Sequence, residues 1–271
     1  MVEGIRPTTD GDWLIVAGDV ADRVADLEWT LRLLRNRFER VIWAPGNHEL
    51  WTVSRDEVQL RGVERYRHLV QLCRDLDVLT PEDEYPVWPG AQEDLVVAPL
   101  FLLYDYSWRP DGMTVPEALA FGRESGVYCT DELLLYPEPF GSRPEWFAER
   151  LEITRARLDA IPAHQRTILV SHWPLNRLPT TILRYPHFAM WCGSEQTADW
   201  HRRYRAAVAV YGHLHIPVSY LLDGVRFEEV SLGYPREWRA RAEQPPNPVR
   251  RIDPPDPQRK LFDHAQRRLI P

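Results

Sequence analysis

Cysteine is scarce: Cys73, Cys129 and Cys192 are the only three in 271 residues, widely separated and without a Cys-x-x-Cys pair. An odd, dispersed set excludes a disulfide framework and a zinc knuckle, and it fits a reducing compartment such as the cytoplasm. An excess of basic charge is also missing, since the formal net charge is -7 and the isoelectric point is near 5.7. A surface that neutralises the phosphates of long nucleic acid needs the opposite sign, so long nucleic acid is not expected as a partner. Long apolar runs are absent too. The most continuous stretch, residues 95–104, is interrupted by Pro99 and falls short of the ~20 residues that span a bilayer. No membrane segment is therefore expected. No basic stretch followed by an apolar one opens the chain, so no secretory signal is expected either, and no internal repeat is visible.

What is present suits a layered α/β protein. With 44% hydrophobic side chains, a chain of 271 residues can bury one large core in one domain. Apolar runs bounded by glycine or proline recur at residues 13–17, 41–44, 95–103, 167–170 and 206–211, and they read as buried strands. Between the first two, Val24, Leu27, Leu31, Leu34 and Phe38 alternate spacings of three and four, which puts all five on one helical face. Further helices are expected over residues 55–75 and after Ser142, where serine can cap and Pro144 suits the first turn. Residues 104–143 are rich in proline, glycine and aromatics without periodicity, and read as an insertion that could choose a substrate. The domain is expected to cover residues 1–238. Residues 239–271, rich in Pro, Arg, Asp and Gln, read as a loosely attached tail.

Four short motifs stand at the far ends of apolar runs: Gly18-Asp19, Gly46-Asn47-His48-Glu49, Ser171-His172, and Gly212-His213-Leu214-His215. In open α/β sheets ligands bind beyond the carboxyl ends of the strands, so residues just past four strands can converge on one site. Carboxylate oxygen, amide oxygen and imidazole nitrogen together suit Mn, Fe, Zn or Ni better than calcium or a thiolate-bound metal. Taken singly the motifs say less: Gly18-Asp19 can be a turn, Asn47 a cap and His172 a structural histidine. Their order gives them weight. His68, His164 and His264 fall in helical or polar segments and are left out of the site, as are His187 and His201.

The ordered set GD, GNHE, SH and GHLH resembles the signature of the calcineurin-like metallophosphoesterases, and it spans Asp19 to His215. The resemblance implies a four-layer αββα sandwich and two divalent metal ions, Mn, Fe or Zn. It implies that Asp19 bridges the pair, that Asn47, His172 and His213 complete the second metal, and that His215 serves the first. His48 would then sit beside the leaving group as the proton donor, with Asp19 as its catalytic neighbour, and Glu49 or Asp22 could orient a ligand from behind. The stretches around the motifs, including DWLIVAGDVADR, VIWAPGNHELW, TADWHRRY and GVRFEEVSLGYPREW, are similar to a subgroup of actinobacterial enzymes that remove 4′-phosphopantetheine from acyl carrier protein. That likeness implies a phosphodiester whose serine side belongs to a small acidic protein. Arg177, Arg184 and Arg236 are the candidate substrate-binding cations. Trp51, Tyr104, Tyr106, Trp108 and Trp191 could line a channel for the pantetheine arm or simply pack.

One departure carries consequences. The family pattern begins with an Asp-x-His at the end of a first strand, and no such motif precedes Asp19. Asp10 and Asp12 do not replace it, because they precede the strand that ends at Asp19 and lie about 20 Å away along it. The expectation is a truncated or miscalled start, a sheet lacking its first strand, and a first metal left with Asp19 and His215. The same motifs serve monoesters and diesters. A phosphatase, a cyclic-nucleotide phosphodiesterase and a non-catalytic relative therefore stay open beside the carrier-protein reading.

Overall fold

The computed structural model describes residues 2–234, 249–256, 261–263 and 268–270. Strand β1 (Trp13–Val16), helix α1 (Val24–Arg35) and strand β2 (Arg40–Trp43) form the first parallel unit, with Leu14 opposite Val41. Val24, Leu27, Leu31, Leu34 and Phe38 are all buried, as the spacing predicts. A short helix α2 (Asn47–Leu50) follows, then α3 (Gly62–Asp75) and β3 (Val78–Leu79), which pairs with β2 to complete a three-stranded parallel sheet. Helix α3 starts seven residues later than the periodicity suggests. The residues before it brace the neighbouring helices: Asp56 accepts the backbone N–H of Val24 at the start of α1, and it pairs with Arg65 at 2.9 Å, both side chains buried. Arg65 also donates to the carbonyls of Glu49, Val58 and Asp22, so one buried cation ties α3 to both motif loops.

The second sheet starts with β4 (Val87–Pro89) and β5 (Asp94–Pro99). Residues 104–143 carry helices α4 (Val115–Glu124) and α5 (Asp131–Leu134) before α6 (Arg143–Asp159). Ser142 accepts from the Glu145 N–H at the start of α6, the cap expected from sequence. Strand β6 (Arg166–Val170), helix α7 (Trp200–Arg203) and strand β7 (Ala206–Tyr211) lead to a hairpin of β8 (Ser219–Leu222) and β9 (Val225–Glu229). Asp223 and Gly224 take φ of +52° and +78°, the left-handed pair that lets a two-residue turn follow strand twist. The described C-terminal strands are β10 (Leu261–Asp263) and β11 (Arg268–Ile270), and the large sheet runs β11-β10-β8-β9-β7-β6-β5-β4.

The two sheets meet face to face. Ala17, Ile42 and Ala44 of the small sheet pack on Leu95, Val97, Ile168, Val170, Val208 and Val210 of the large one. A larger cluster joins the helices to the outer faces. Among the described residues β1 is bonded only to β2. The C-terminal segment departs from the loose tail expected of it: β10 pairs in parallel with β8, and Asp253 accepts from the Trp88 indole at 2.8 Å and the Ala91 N–H at 3.0 Å. Edge strands with unpaired backbone groups draw such a segment in, which a composition reading cannot see.

Candidate metal centre and active site

Asp19, Asn47, His172 and His213 follow β1, β2, β6 and β7, all at carboxyl ends. Their donor atoms converge. His172 Nε2 lies 3.1 Å from Asn47 Oδ1, 3.2 Å from Asp19 Oδ2 and 3.1 Å from His213 Nδ1. One ligand atom from each of Asp19, His172 and His213 falls within 4.8 Å of the others. His215 stands outside this tight group, in a left-handed backbone conformation (φ +56°), with its ring 4.4 Å from that of Tyr234. Asp12 instead accepts from Thr8 and Thr9 in a turn before β1.

The backbone that holds Asp19 is tightly specified. Gly18 has φ +79°, and a β-carbon there would meet the Gly46 nitrogen at 2.5 Å. Glu49, buried, accepts the N–H groups of Gly46, Asp19 and Val20, so one carboxylate clamps the loop after β1 to the loop after β2. The His48 N–H in turn donates to Asp19 Oδ1 at 3.1 Å. Burial opposes the Asp19 charge, but the imidazoles of His172 and His48 hold its carboxyl well below the usual range. Burial and the nearby Asp19 charge push the Glu49 carboxyl up.

The donor set fits a divalent cation. His172 donates from Nδ1 to the Ala17 carbonyl at 2.8 Å, which leaves Nε2 facing Asn47 Oδ1 and Asp19 Oδ2, both acceptors; burial disfavours the imidazolium but the Asp19 charge raises the His172 pKa, so a cation there takes the place of the Nε2 proton. A single proton could satisfy one of these contacts. Ligands about 2.1 Å from one ion and at right angles stand ~3.0 Å apart, close to the observed separations. His213 Nε2 is buried without a hydrogen-bond partner, and burial with His172 nearby depresses the His213 pKa, keeping the ring neutral so that one of its nitrogens has a lone pair to offer a cation.

His48 lies beside this cluster. Its Nε2 is 3.7 Å from Asp19 Oδ2, and its Nδ1 donates to Asp22 Oδ1 at 2.8 Å, with Asp22 also paired to Arg55. Burial disfavours the imidazolium, but Asp19 and then Asp22 outweigh it and raise the pKa to about 9. The Trp51 ring rests 3.8 Å from the His48 ring, and Tyr234 approaches from another side at 6.2 Å.

Arg177 donates to the Trp108 carbonyl and stands 3.6 Å from Glu195, Arg184 is exposed over the Tyr185 ring, and Arg236 lies outside the described residues. Trp51, Tyr104, Tyr106, Trp108 and Trp191 are all buried. His201, also buried, bonds Asp223, and His187 packs on Phe121. Asp131, which accepts from Asn47 and Trp51, escaped the sequence reading because it sits in an aperiodic segment with no motif around it.

Paired motif loops at strand ends, a cation-fitting donor cluster and an adjacent histidine match the arrangement expected of a metal-dependent phosphoesterase. The family model for calcineurin-like phosphoesterases matches residues 1–217, and the chain belongs to that family. Among individual proteins, it is 51% identical to the acyl-carrier-protein phosphodiesterase PptH of Mycobacterium tuberculosis over 259 residues, which is 95% of this chain and 79% of that one. The crystal structure of phosphopantetheinyl hydrolase (PptH) from Mycobacterium tuberculosis superposes with a TM-score of 0.91 at 52% identity, covering 95% of this chain and 90% of that chain.

Proposed function

We propose that this chain hydrolyses the phosphodiester of holo-acyl carrier protein, releasing 4′-phosphopantetheine and the carrier's free serine. The observation that carries the reading is 51% identity to an acyl-carrier-protein phosphodiesterase across 95% of the chain. Asp19, Asn47, His172, His213 and His215 are assigned as ligands for two divalent ions, of which Mn, Fe or Zn suit the nitrogen and oxygen donors. Bound there, such ions polarise the phosphoryl oxygens and supply water as nucleophile near neutral pH.

The protein's own groups account for the rest. Water adds to phosphorus as the bond from phosphorus to the serine oxygen breaks, and the departing oxygen needs a proton. His48 is the donor: Asp22 accepts from Nδ1, which fixes the ring and favours its charged form, leaving Nε2 to face the reacting centre. Glu49 holds the two loops in register so that donor and ligands move together. Arg184, exposed beside Tyr185, is retained as a contact for an acidic carrier; Arg177, with Glu195 as neighbour, is less suited.

The test is incubation of the protein with Mn²⁺ and a holo-acyl carrier protein, followed by intact mass. Loss of the phosphopantetheine mass is expected. No loss, while bis(p-nitrophenyl) phosphate is cleaved, would remove the carrier-protein assignment and leave the family chemistry.

A further inference from the structure

The geometry points to Asp131, in the segment between β5 and α6, as the positioning residue that turns the Asn47 amide oxygen toward the metal cluster. The inference rests on the reading of Asn47 as a ligand. An asparagine amide has two ends of nearly equal size, and only the oxygen end can ligate a cation. A neighbouring carboxyl oxygen that already accepts from another N–H breaks that tie, because it can accept from the amide N–H and offers nothing to the amide oxygen. Asp131 Oδ1 accepts from Asn47 Nδ2 at 2.9 Å, and Asn47 Oδ1 is thereby left facing His172 Nε2 at 3.1 Å. The reversed amide would aim two N–H groups at the cation and its oxygen at a buried carboxylate.

Asp131 is itself well held. The side chain is fully buried, and the same oxygen accepts from the Trp51 indole at 2.7 Å, the ring that lies against His48. Arg143 donates to the Asp131 carbonyl at 3.2 Å and to the Tyr106 hydroxyl, while Glu132 accepts from Tyr106 at 2.6 Å and from the Trp191 indole at 2.8 Å. The Thr52 N–H donates to the Leu134 carbonyl at 3.0 Å, so the end of α2 and α5 are joined by backbone as well as side chain. The aperiodic segment is thus wired to the metal cluster through one carboxylate. Metal affinity becomes a property of that segment as well as of the four motifs.

Outer partners of metal ligands typically set about 10–100-fold in affinity, and that is the effect expected here. Mn²⁺ affinity of the metal-stripped protein, measured by chelator competition, is compared for wild type, Asp131→Leu, Asp131→Asn and Asn47→Ala. Asp131→Leu removes the acceptor and is expected to weaken binding about 10–100-fold. Asp131→Asn keeps an oxygen acceptor, which the Trp51 indole N–H orients toward Asn47, and is expected to bind nearly as wild type. A folded Asp131→Leu protein with wild-type affinity overturns the proposal, provided Asn47→Ala weakens binding; if Asn47→Ala also binds normally, the ligand reading beneath it fails. Should Asp131→Leu not fold, side-chain amide exchange by NMR decides on the wild-type, metal-free protein. Protection of the Asn47 amide protons is expected, and exchange as fast as that of a solvent-exposed asparagine overturns the proposal.

Discussion

Replacing Gly46 by alanine tests how closely the two motif loops are fitted. A methyl group there would stand 2.5 Å from the Asp19 backbone nitrogen and nearer still to its carboxylate, whereas ordinary contact begins at 3.4 Å. The loop carrying Asp19 would have to retreat by about 0.9 Å, several times the ~0.2 Å tolerance of a metal–ligand distance. It would also pull against the Glu49 clamp, since Gly46, Asp19 and Val20 all donate to that one carboxylate. Overpacking of this kind costs about 1–3 kcal/mol, and at ~2–4 °C per kcal/mol for a domain of this size the melting temperature should fall by roughly 2–12 °C. A ligand displaced by nearly 1 Å should lower Mn²⁺-dependent hydrolysis of bis(p-nitrophenyl) phosphate about 100-fold. Gly11→Ala is the control, because its methyl would lie 3.6 Å from Glu39, in ordinary contact. A Gly46→Ala protein with wild-type melting temperature and rate would refute the packing argument.

His48→Gln should lower turnover by about 10²–10⁴-fold while Mn²⁺ affinity stays close to wild type; a parallel loss of affinity would make the residue a ligand instead of a proton donor. In the metal-free protein the His48 imidazole should titrate near pH 9 by NMR, and Asp22→Asn should bring that midpoint down. Because the folded pKa is raised, the stability His48 contributes is complete below about pH 6.5 and disappears as pH rises through about 9, which urea melts at several pH values would show. Asp56→Ala leaves Arg65 buried without its carboxylate and should cost about 3–5 kcal/mol in urea denaturation, and a loss below ~1 kcal/mol would contradict that role.

Much of the site is legible in the sequence because its residues sit where secondary structure changes. Apolar runs ending in Gly18-Asp19, Asn47-His48, Ser171-His172 and Gly212-His213 mark strand ends directly, and the structure brings all four ends to one place. The face of α1 is legible for the same kind of reason, a period that burial enforces. Asp131 is not, since a lone acidic residue in an aperiodic stretch has no pattern until the fold lays it against Asn47. The late start of α3 follows from Asp56 being drawn to Arg65, a tertiary pull that local periodicity does not encode. The hairpin around Asp223-Gly224 has a local signal in that dipeptide, but the return of residues 261–263 to β8 depends on an exposed strand edge far away in sequence.

The ligand candidates are divided between the layers: Asp19 and Asn47 belong to the small sheet, His172 and His213 to the large one. One polar stitch between those loops and the large sheet's strand ends, apart from the cluster itself, is His172 to the Ala17 carbonyl. A cation bound among them acts as a rivet through two plates. Sliding one plate over the other by a single residue would tear the coordination apart, so the ion reports on, and resists, shear at the centre of the molecule.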